Sequence, residues 1–272
     1  MVKVLIVGGT GPVGQTLSKL FLSSQTPFLI GSRNPISINN DNDNDNAASQ
    51  STSNWIHMDL TKNEGINKSI DDDVDTILYL ASLPQATTND GQPIDITLTK
   101  NLLNSIQKKN IKHLVYLSIV GVDKMPFSYY KGKLECERLI KESGIPYTIL
   151  RATQFHSLVE DIANYLLNYP MDIVSKVAKI QPIQVEAVAM ELAKIVKEPP
   201  LNSTYDIGGR KIYTMKEIAD SLLEARPEKK STVNMPIIGE ILNGFAEGYN
   251  TCENISLNSN TWEEYLANKY PK

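Results

Sequence analysis

The sequence predicts an α/β fold, in which helices wind on both faces of a parallel sheet (a doubly wound sheet) and a smaller lobe follows at the C-terminal end. Short apolar runs rich in β-branched residues alternate with helix-like segments through the first half of the chain. A glycine-rich turn joins the first such strand to the first helix. Alternation of this kind favours parallel strands, because each crossover is right-handed and returns the chain to the same sheet.

Strands are predicted wherever an apolar run is too short for a helix. These runs are VKVLIV, PFLIGS, WIHM, DTILYLAS, HLVYLSIVG, PYTILRA and YDIGG. Helices are predicted where apolar residues recur every three or four positions. These segments are PVGQTLSKLFLSS, a short stretch near Lys62 to Ile70, DITLTKNLLNSIQKKN, YYKGKLECERLIKESG, VEAVAMELAKIVKE, TMKEIADSLLEA and TWEEYLANKY.

The regular alternation ends after Arg151, and this change predicts two domains. Residues 1–151 are expected to form the sheet, and residues 152–272 a smaller lobe that selects the substrate. One insertion interrupts the first domain: Ile38–Asn54, with the sequence INNDNDNDNAASQSTSN, is almost free of apolar residues. Such a segment buries too little surface to order itself, so it is predicted to be a disordered surface loop.

Composition and charge exclude several classes of protein. The chain has 272 residues and a formal net charge of −4, with scattered basic residues, so no nucleic-acid-binding face is expected. Cys136 and Cys252 form neither a disulfide framework nor a metal-binding spacing, which fits a reducing compartment. Lys3 interrupts the only early apolar run, and no run reaches the roughly 18 residues of a membrane span. We expect a cytoplasmic protein with a small-molecule substrate and no metal or membrane partner, and its oligomeric state stays open.

The turn after the first strand has the spacing G-x-x-G-x-x-G, formed by Gly8, Gly11 and Gly14. The first glycine permits a positive φ, the second lets backbone amides approach a diphosphate, and the third lets helix and strand pack closely. A diphosphate then lies at the N-terminus of the first helix, where free N–H groups and the helix dipole favour an anion. The predicted cofactor-binding residues of this turn are Gly8, Gly9, Thr10, Gly11, Pro12, Val13 and Gly14.

The residues at the end of the second strand determine whether NAD(H) or NADP(H) is preferred. NAD sites usually carry Asp or Glu there, on the ribose hydroxyls, but the sequence reads Gly31-Ser32-Arg33-Asn34. Because an arginine can pair bidentately with a 2′-phosphate, Ser32 and Arg33 are predicted to bind NADP(H) in preference to NAD(H). The alternative for Arg33 is a solvated loop cation.

A tyrosine, a lysine and a serine are the candidate catalytic residues. Tyr129 and Lys133 lie four residues apart in a predicted helix and share one face. A nearby ammonium stabilises phenolate and lowers the phenol pKa, which suits a tyrosine used as a general acid. Ser118 ends the preceding strand, at the edge where ligands bind, and could hold a carbonyl oxygen. Each could instead be a packing or surface residue, and Tyr130 is a rival for Tyr129.

Five segments resemble the short-chain dehydrogenase/reductase superfamily and are most similar to its atypical NmrA-like, NAD(P)H-binding branch. They are GGTGPVG, LYLAS, YLSIVG, YYKGKLECE and GIPYTILRATQFH. The resemblance implies a Rossmann-type fold whose glycine turn and Arg33 bind NADP(H). It also implies that Asp59 and Leu60 flank the adenine, and that Ala81 and Ser82 line the cofactor crevice.

The same resemblance assigns the candidate catalytic residues. Tyr129 and Lys133 match the superfamily's Y-x-x-x-K, with Lys133 on the nicotinamide ribose, and Ser118 matches its upstream serine. We predict an NADPH-dependent oxidoreductase for a small carbonyl or enone-type substrate, in which Tyr129 protonates the product oxygen and Ser118 positions the substrate. Some members of the branch have lost catalysis, so the alternative is a non-catalytic NADP(H)-binding redox sensor of the NmrA type. A third possibility is a structural domain that binds no dinucleotide.

Overall fold

The computed structural model describes residues 3–35, 54–66, 70, 73–84, 86–107, 109–167, 177–226 and 240–271. The predicted disordered insertion Ile38–Asn54 lies outside these residues, except for Asn54. The strands of the described part are β1 Val4–Val7, β2 Phe28–Ser32, β3 Trp55–His57, β4 Thr76–Tyr79, β5 His113–Ile119, β6 Tyr147–Ala152, β7 Lys179–Ile180, β8 Ser203–Ile207 and β9 Tyr213–Thr214. Its helices are α1 Pro12–Ser23, α2 Ile94–Ile106, α3 Ser128–Glu142, α4 His156–Leu166, α5 Val185–Ile195, α6 Met215–Ala225, α7 Glu240–Ala246 and α8 Trp262–Lys269.

Seven parallel strands form one central sheet in the order β3-β2-β1-β4-β5-β6-β8, and helices flank it. From β1 the chain first moves outward to β2 and β3, and it then returns to β4 on the other side of β1. This order is that of a doubly wound sheet, so the predicted fold class is confirmed. Ligands of such sheets bind where the strand order reverses, which here is beside β1 and β4.

The strand β1 is a run of four buried apolar residues, as expected for a strand covered on both faces. Its last residue, Val7, pairs with Gly31 of β2 and with Tyr79 of β4. Three neighbouring strands therefore end side by side. The residues that follow them share one edge of the sheet.

One predicted helix is wrong in its first half. In place of a helix near Lys62 to Ile70, Asp59 and Glu64 pair through two backbone hydrogen bonds of 2.9 Å. Asn63 and Gly65 have φ values of +57° and +77°, in the left-handed region that an α-helix does not contain. This stretch is a loop, and part of it contributes to the site described below.

The structure also contains a helix, α4, that the sequence analysis does not predict. It begins at His156 directly after β6, and Phe155 at its N-cap makes no side-chain capping bond. Without a capping Ser, Thr, Asp or Asn, the start of a helix leaves little signal in the sequence. The helical spacing of Val159, Ile162 and Ala163, all buried, is the signal that could have found it. The short antiparallel pair β7–β9 was likewise not predicted.

The backbone divides into two compact units. The first comprises Met1–Leu117, Gly132–Leu150 and Ala189–Thr204. The second comprises Ser118–Lys131, Arg151–Val188 and Tyr205–Lys272. The core of the first unit contains apolar side chains from β1, β4 and α2, among them Leu5, Ile77, Tyr79, Leu98 and Leu102. The predicted domain boundary after Arg151 stays a prediction.

None of the helices in the described ranges has the length and apolar character needed to cross a membrane. The same ranges hold no group of three or more His, Cys, Asp or Glu side chains that could bind a metal ion. The two cysteines are free thiols, of which Cys136 is buried and Cys252 is partly buried.

Candidate cofactor-binding site

The three spaced glycines of the turn after β1 are required for different geometric reasons. Gly8 has a φ of +85°, and a Cβ there would lie 2.6 Å from the backbone of Ala81. Gly14 lies in the first turn of α1, where a Cβ would come within 2.4 Å of the Cα of Gly9. Gly11 has more room, since the nearest atom to a Cβ there would be 3.9 Å away. The first and third glycines therefore permit close packing, and the second leaves space for a ligand.

The N-terminus of α1 is not capped by the side chain of its N-cap residue. Its N-cap is Gly11, which makes no capping bond, and no acidic residue lies in the first turn. The first N–H groups of a helix have no partner within the helix, and the dipole makes this end positive. An anion is therefore the ligand that suits this helix start.

A cleft of about 230 Å³ lies where β1, β2 and β4 end. Nine of the predicted cofactor residues line it: Gly8, Thr10, Gly11, Ser32, Arg33, Asp59, Leu60, Ala81 and Ser82. Seven lining residues were not predicted: Val7, Gly31, Met58, Thr61, Leu80, Leu83 and Leu98. Most of the added residues are apolar, so the cleft combines apolar walls with a few polar groups, as small-molecule sites do.

The other residues predicted in the glycine turn do not line this cleft. A Cβ on Gly9 would lie 2.8 Å from the side chain of Ile30, so this glycine lets the turn pack on β2. Pro12 is the first residue of α1, and Val13 and Gly14 are buried in that helix. These four residues shape the turn, and binding of a cofactor by their backbone stays a prediction.

The turn after β2 brings Arg33 to the cleft, and side-chain hydrogen bonds hold the residues before and after Arg33. Arg33 is exposed, whereas Ser32 is buried. The indole Nε1 of Trp55 donates to Ser32 Oγ at 2.9 Å, and this hydroxyl donates to the carbonyl oxygen of Asn34 at 2.6 Å. We refer to these three residues as the Trp55–Ser32–Asn34 chain.

Asp59 organises the loop that follows β3. Its Oδ1 accepts hydrogen bonds from the backbone N and the hydroxyl of Thr61, at 2.8 and 2.6 Å, and a longer one from the backbone N of Lys62. Burial alone would raise the pKa of Asp59, but these hydrogen bonds and the charge of Arg33 hold that pKa below its ordinary value. The cleft is therefore lined by both a carboxylate and a guanidinium, which attract each other.

Ser82 is held by a buried carboxylate that the sequence analysis did not identify. Asp95, in the first turn of α2, is 2% exposed and accepts hydrogen bonds from Ser82 Oγ at 2.5 Å and from Leu83 N at 2.7 Å. These bonds fix the loop after β4 against α2 and so fix one wall of the cleft. The sequence signal that could have identified Asp95 is its place in the first turn of a predicted helix. Acidic residues there are usually explained by the helix dipole alone.

Lys133 is a buried cation, only 4% exposed, in α3. Its Nζ donates to the carbonyl oxygen of Leu117 at 3.0 Å and lies 4.4 Å from the centre of the Tyr116 ring. Burial lowers the pKa of Lys133 below its ordinary value, and the negative charge of Asp95 opposes this change. An ammonium has three donors, and within the described residues Lys133 makes one hydrogen bond, so donors are left for a ligand.

The two adjacent tyrosines lie in different environments. Tyr130 is buried, and burial raises the pKa of its phenol to about 12 against the effect of a hydrogen bond with Gln154. Tyr129 is partly exposed, and its ring lies edge-on to Phe127 with the ring centres 6.4 Å apart. A partly exposed phenol is better suited to exchange a proton with a substrate than a buried phenol of raised pKa. This contrast supports Tyr129 over its rival.

Ser118 lies near the end of β5 and is buried. It belongs with Tyr129 to the second compact unit, whereas Lys133 belongs to the first. The convergence of Ser118, Tyr129 and Lys133 on one substrate therefore stays a prediction.

His156 is the first residue of α4. It is 3% exposed, and its ring stacks on Tyr265 with the centres 4.8 Å apart. Neither ring nitrogen has a hydrogen-bond partner among the described residues. Burial lowers the pKa of His156 to about 4. These observations identify a neutral core histidine.

Acidification is expected to destabilise the fold through His156. Its folded pKa of about 4 lies below the ordinary value of 6.5, so the unfolded chain takes up the proton first as the pH falls. This contribution to stability is nearly complete above pH 6.5 and is lost as the pH falls toward 4, by about 2 kcal/mol between pH 7 and pH 5. His156→Phe keeps a stacking ring and should flatten this decline, which urea unfolding at about pH 7 and about pH 5 measures. Exposed His57→Phe is the control, and an unchanged decline in His156→Phe would contradict the prediction.

A parallel sheet, a glycine turn at its centre and a cleft at its carboxyl edge together define a dinucleotide-binding α/β protein of the Rossmann type. The family model described as NAD(P)H-binding matches residues 8–199. The chain belongs to this NAD(P)H-binding family. The predicted Rossmann-type fold and NAD(P)-binding family are thereby confirmed.

Individual relatives include reductases and oxidoreductases. The chain is 25% identical over 255 residues to divinyl chlorophyllide a 8-vinyl-reductase, chloroplastic, of Arabidopsis thaliana, a match of 87% of this chain and 60% of that protein. It is 25% identical over 175 residues to an NmrA-like family domain-containing oxidoreductase of Aspergillus flavus, covering 62% of this chain and 52% of that protein. The chain thus matches only 60% and 52% of the lengths of these relatives.

A solved structure supports the fold. The NADPH-dependent quinone oxidoreductase QOR2 of Escherichia coli, crystallised in complex with NADPH, matches with a TM-score of 0.73 at 17% identity, over 98% of this chain and 99% of that chain. The named relatives thus include a reductase and an NmrA-like oxidoreductase, and the solved structure of QOR2 contains NADPH.

Proposed function

We propose that the protein is an NADPH-dependent oxidoreductase of the short-chain dehydrogenase/reductase superfamily, in its NmrA-like branch, and that it reduces a small carbonyl or enone-type substrate. One observation carries the proposal: the cleft joins an uncapped helix N-terminus to an exposed Arg33, with no acidic residue in the turn after β2. The named reductases among the relatives support the class of reaction.

The residues of the cleft fit the adenosine diphosphate half of the cofactor. The space at Gly11 and the free amides of α1 suit the diphosphate. Arg33 suits the 2′-phosphate, which a carboxylate at the same place would repel. Apolar Met58, Leu60 and Leu98 suit a purine base. A ligand without a diphosphate, a 2′-phosphate or a purine base would leave the matching residues of the cleft without their predicted partner.

The reducing step uses the three predicted catalytic residues. NADPH, when bound, supplies the hydride. Tyr129 gives its phenolic proton to the substrate oxygen, and Ser118 orients that oxygen by a hydrogen bond. Lys133 holds the ribose through its remaining donors, and its charge lowers the pKa of the phenol.

Arg33→Ala is expected to weaken NADPH binding about tenfold or more and to leave NADH binding almost unchanged, since a charge-assisted bond to phosphate is lost. Calorimetric titration of both nucleotides gives the two dissociation constants. Lys62→Ala, an exposed cation near the cleft, is the matched control and should leave the ratio of the constants unchanged. Equal affinity of the unaltered protein for NADH and NADPH would remove the proposed preference.

A further inference from the structure

The turn that carries Arg33 is held by side chains from outside the turn. Its main chain continues the pairing of β2 with β3, in which Ile30 lies opposite Trp55 and Ser32 opposite His57. The Trp55–Ser32–Asn34 chain adds two hydrogen bonds beyond this ladder, of 2.9 and 2.6 Å. It begins at the first residue of β3 and ends on the carbonyl just after Arg33.

The direction of these bonds limits what Ser32 can do. A hydroxyl has one hydrogen, and the hydrogen of Ser32 is used at the carbonyl oxygen of Asn34. Trp55 can only donate, so it occupies one of the two lone pairs of the same oxygen. A phosphate without protons is an acceptor, and it could receive a bond from Ser32 only if the bond to Asn34 broke. Ser32 is therefore a link in the turn, although it was predicted as a direct cofactor ligand.

The Trp55–Ser32–Asn34 chain connects two segments that are far apart in the sequence. Eighteen residues, 36–53, separate the turn from the described start of the segment that contains β3. The Trp55–Ser32 bond joins residues 23 positions apart, so it holds the turn after β2 against a strand that is not its neighbour in the sequence. An arginine on a turn fixed at both sides loses less conformational freedom when it binds a phosphate.

We propose that Trp55 is a positioning residue for recognition of the 2′-phosphate, acting through Ser32 and Asn34 on Arg33. The proposal rests on the proposed preference for NADPH and names a residue that this preference requires. Trp55 has no direct contact with the ligand in this account. Its effect is confined to the part of the cofactor that Arg33 recognises, and the diphosphate site at α1 stays intact.

The test is Trp55→Phe, which keeps an aromatic ring beside His57 and removes the indole donor. We expect the dissociation constant for NADPH to rise about fivefold and that for NADH to stay constant. The pair 2′,5′-ADP and 5′-AMP should behave in the same way as NADPH and NADH. Ser32→Ala breaks the chain at its centre and should give the same change. The double variant should bind NADPH no more weakly than the weaker of the two single variants, because both substitutions break the same hydrogen-bond chain.

Four outcomes would overturn the proposal. Equal weakening of NADPH and NADH by Trp55→Phe would show a general effect on the fold. Loss of NADPH affinity in Ser32→Ala but not in Trp55→Phe would make Ser32 a direct ligand. No preference for NADPH in the unaltered protein would overturn this inference together with the proposed preference, whereas a clear preference that Trp55→Phe leaves unchanged would overturn the inference alone. If Trp55→Phe does not fold, Trp55→Tyr also lacks the indole donor and carries the same prediction.

Discussion

Tyr129→Phe should lower the rate of substrate reduction about 10²- to 10⁴-fold, while the affinity for NADPH stays the same. Phenylalanine keeps the ring and its edge-on contact with Phe127 but has no proton to give. Binding of the adenosine half should not change, because no residue of α3 lines the cleft proposed to hold it. The measurement is the decrease of NADPH absorbance with a panel of small aldehydes, ketones, enones and quinones.

Tyr130→Phe is the matched control for this experiment. It removes one hydroxyl from the next residue, and that hydroxyl is bound to Gln154 in a buried position. We expect it to reduce stability by about 1 kcal/mol and to retain turnover. Full activity of Tyr129→Phe on a substrate that the unaltered protein reduces would mean another proton donor. If the unaltered protein binds NADPH and reduces none of the panel, the redox-sensor alternative gains support.

The sheet and most helices could be predicted because their signals are local. The run VLIV of β1 is apolar at every position, and Pro12 marks the start of α1. α4 lacks such a mark, since its N-cap is Phe155. The stretch after Asp59 was misread because the two backbone bonds to Glu64 and the positive φ of Asn63 depend on how the loop closes.

The candidate site shows the same division. The glycines, Arg33 and Ser82 follow directly on strands, so the sequence alone could place them at one edge of the sheet. The role of Asp95 could not be predicted, because its partners Ser82 and Leu83 come from a different element. Trp55 was seen only as a strand residue, since its bond to Ser32 spans 23 positions. Residues that hold other residues in place are therefore the part of a site that sequence patterns show least.

The glycine turn gives the second large prediction, the effect of Gly8→Ala. The added methyl group would lie 2.6 Å from the backbone of Ala81, and the residue has a φ of +85°. The clash cannot relax easily, because the obstacle is the main chain of Ala81. The backbone angle cannot change easily either, because a hydrogen bond from Gly8 N to Gly31 O holds the turn. We expect a loss of about 3–5 kcal/mol in the free energy of unfolding. In the protein that remains folded, we expect NADPH affinity to fall at least about tenfold, since Gly8 and Ala81 both line the cleft.

The chain contains a matched control for the strain at this position. Gly144 has a φ of +77°, but a Cβ there meets no atom within 4 Å. Gly144→Ala therefore has the same backbone penalty without the clash, and it should reduce stability by only about 1 kcal/mol and leave NADPH binding unchanged. Chemical denaturation of both variants, with and without NADPH, separates the two causes. Similar losses in both would assign the effect to backbone conformation, and the close contact between the turn and the loop after β4 would then have no role in holding the diphosphate site.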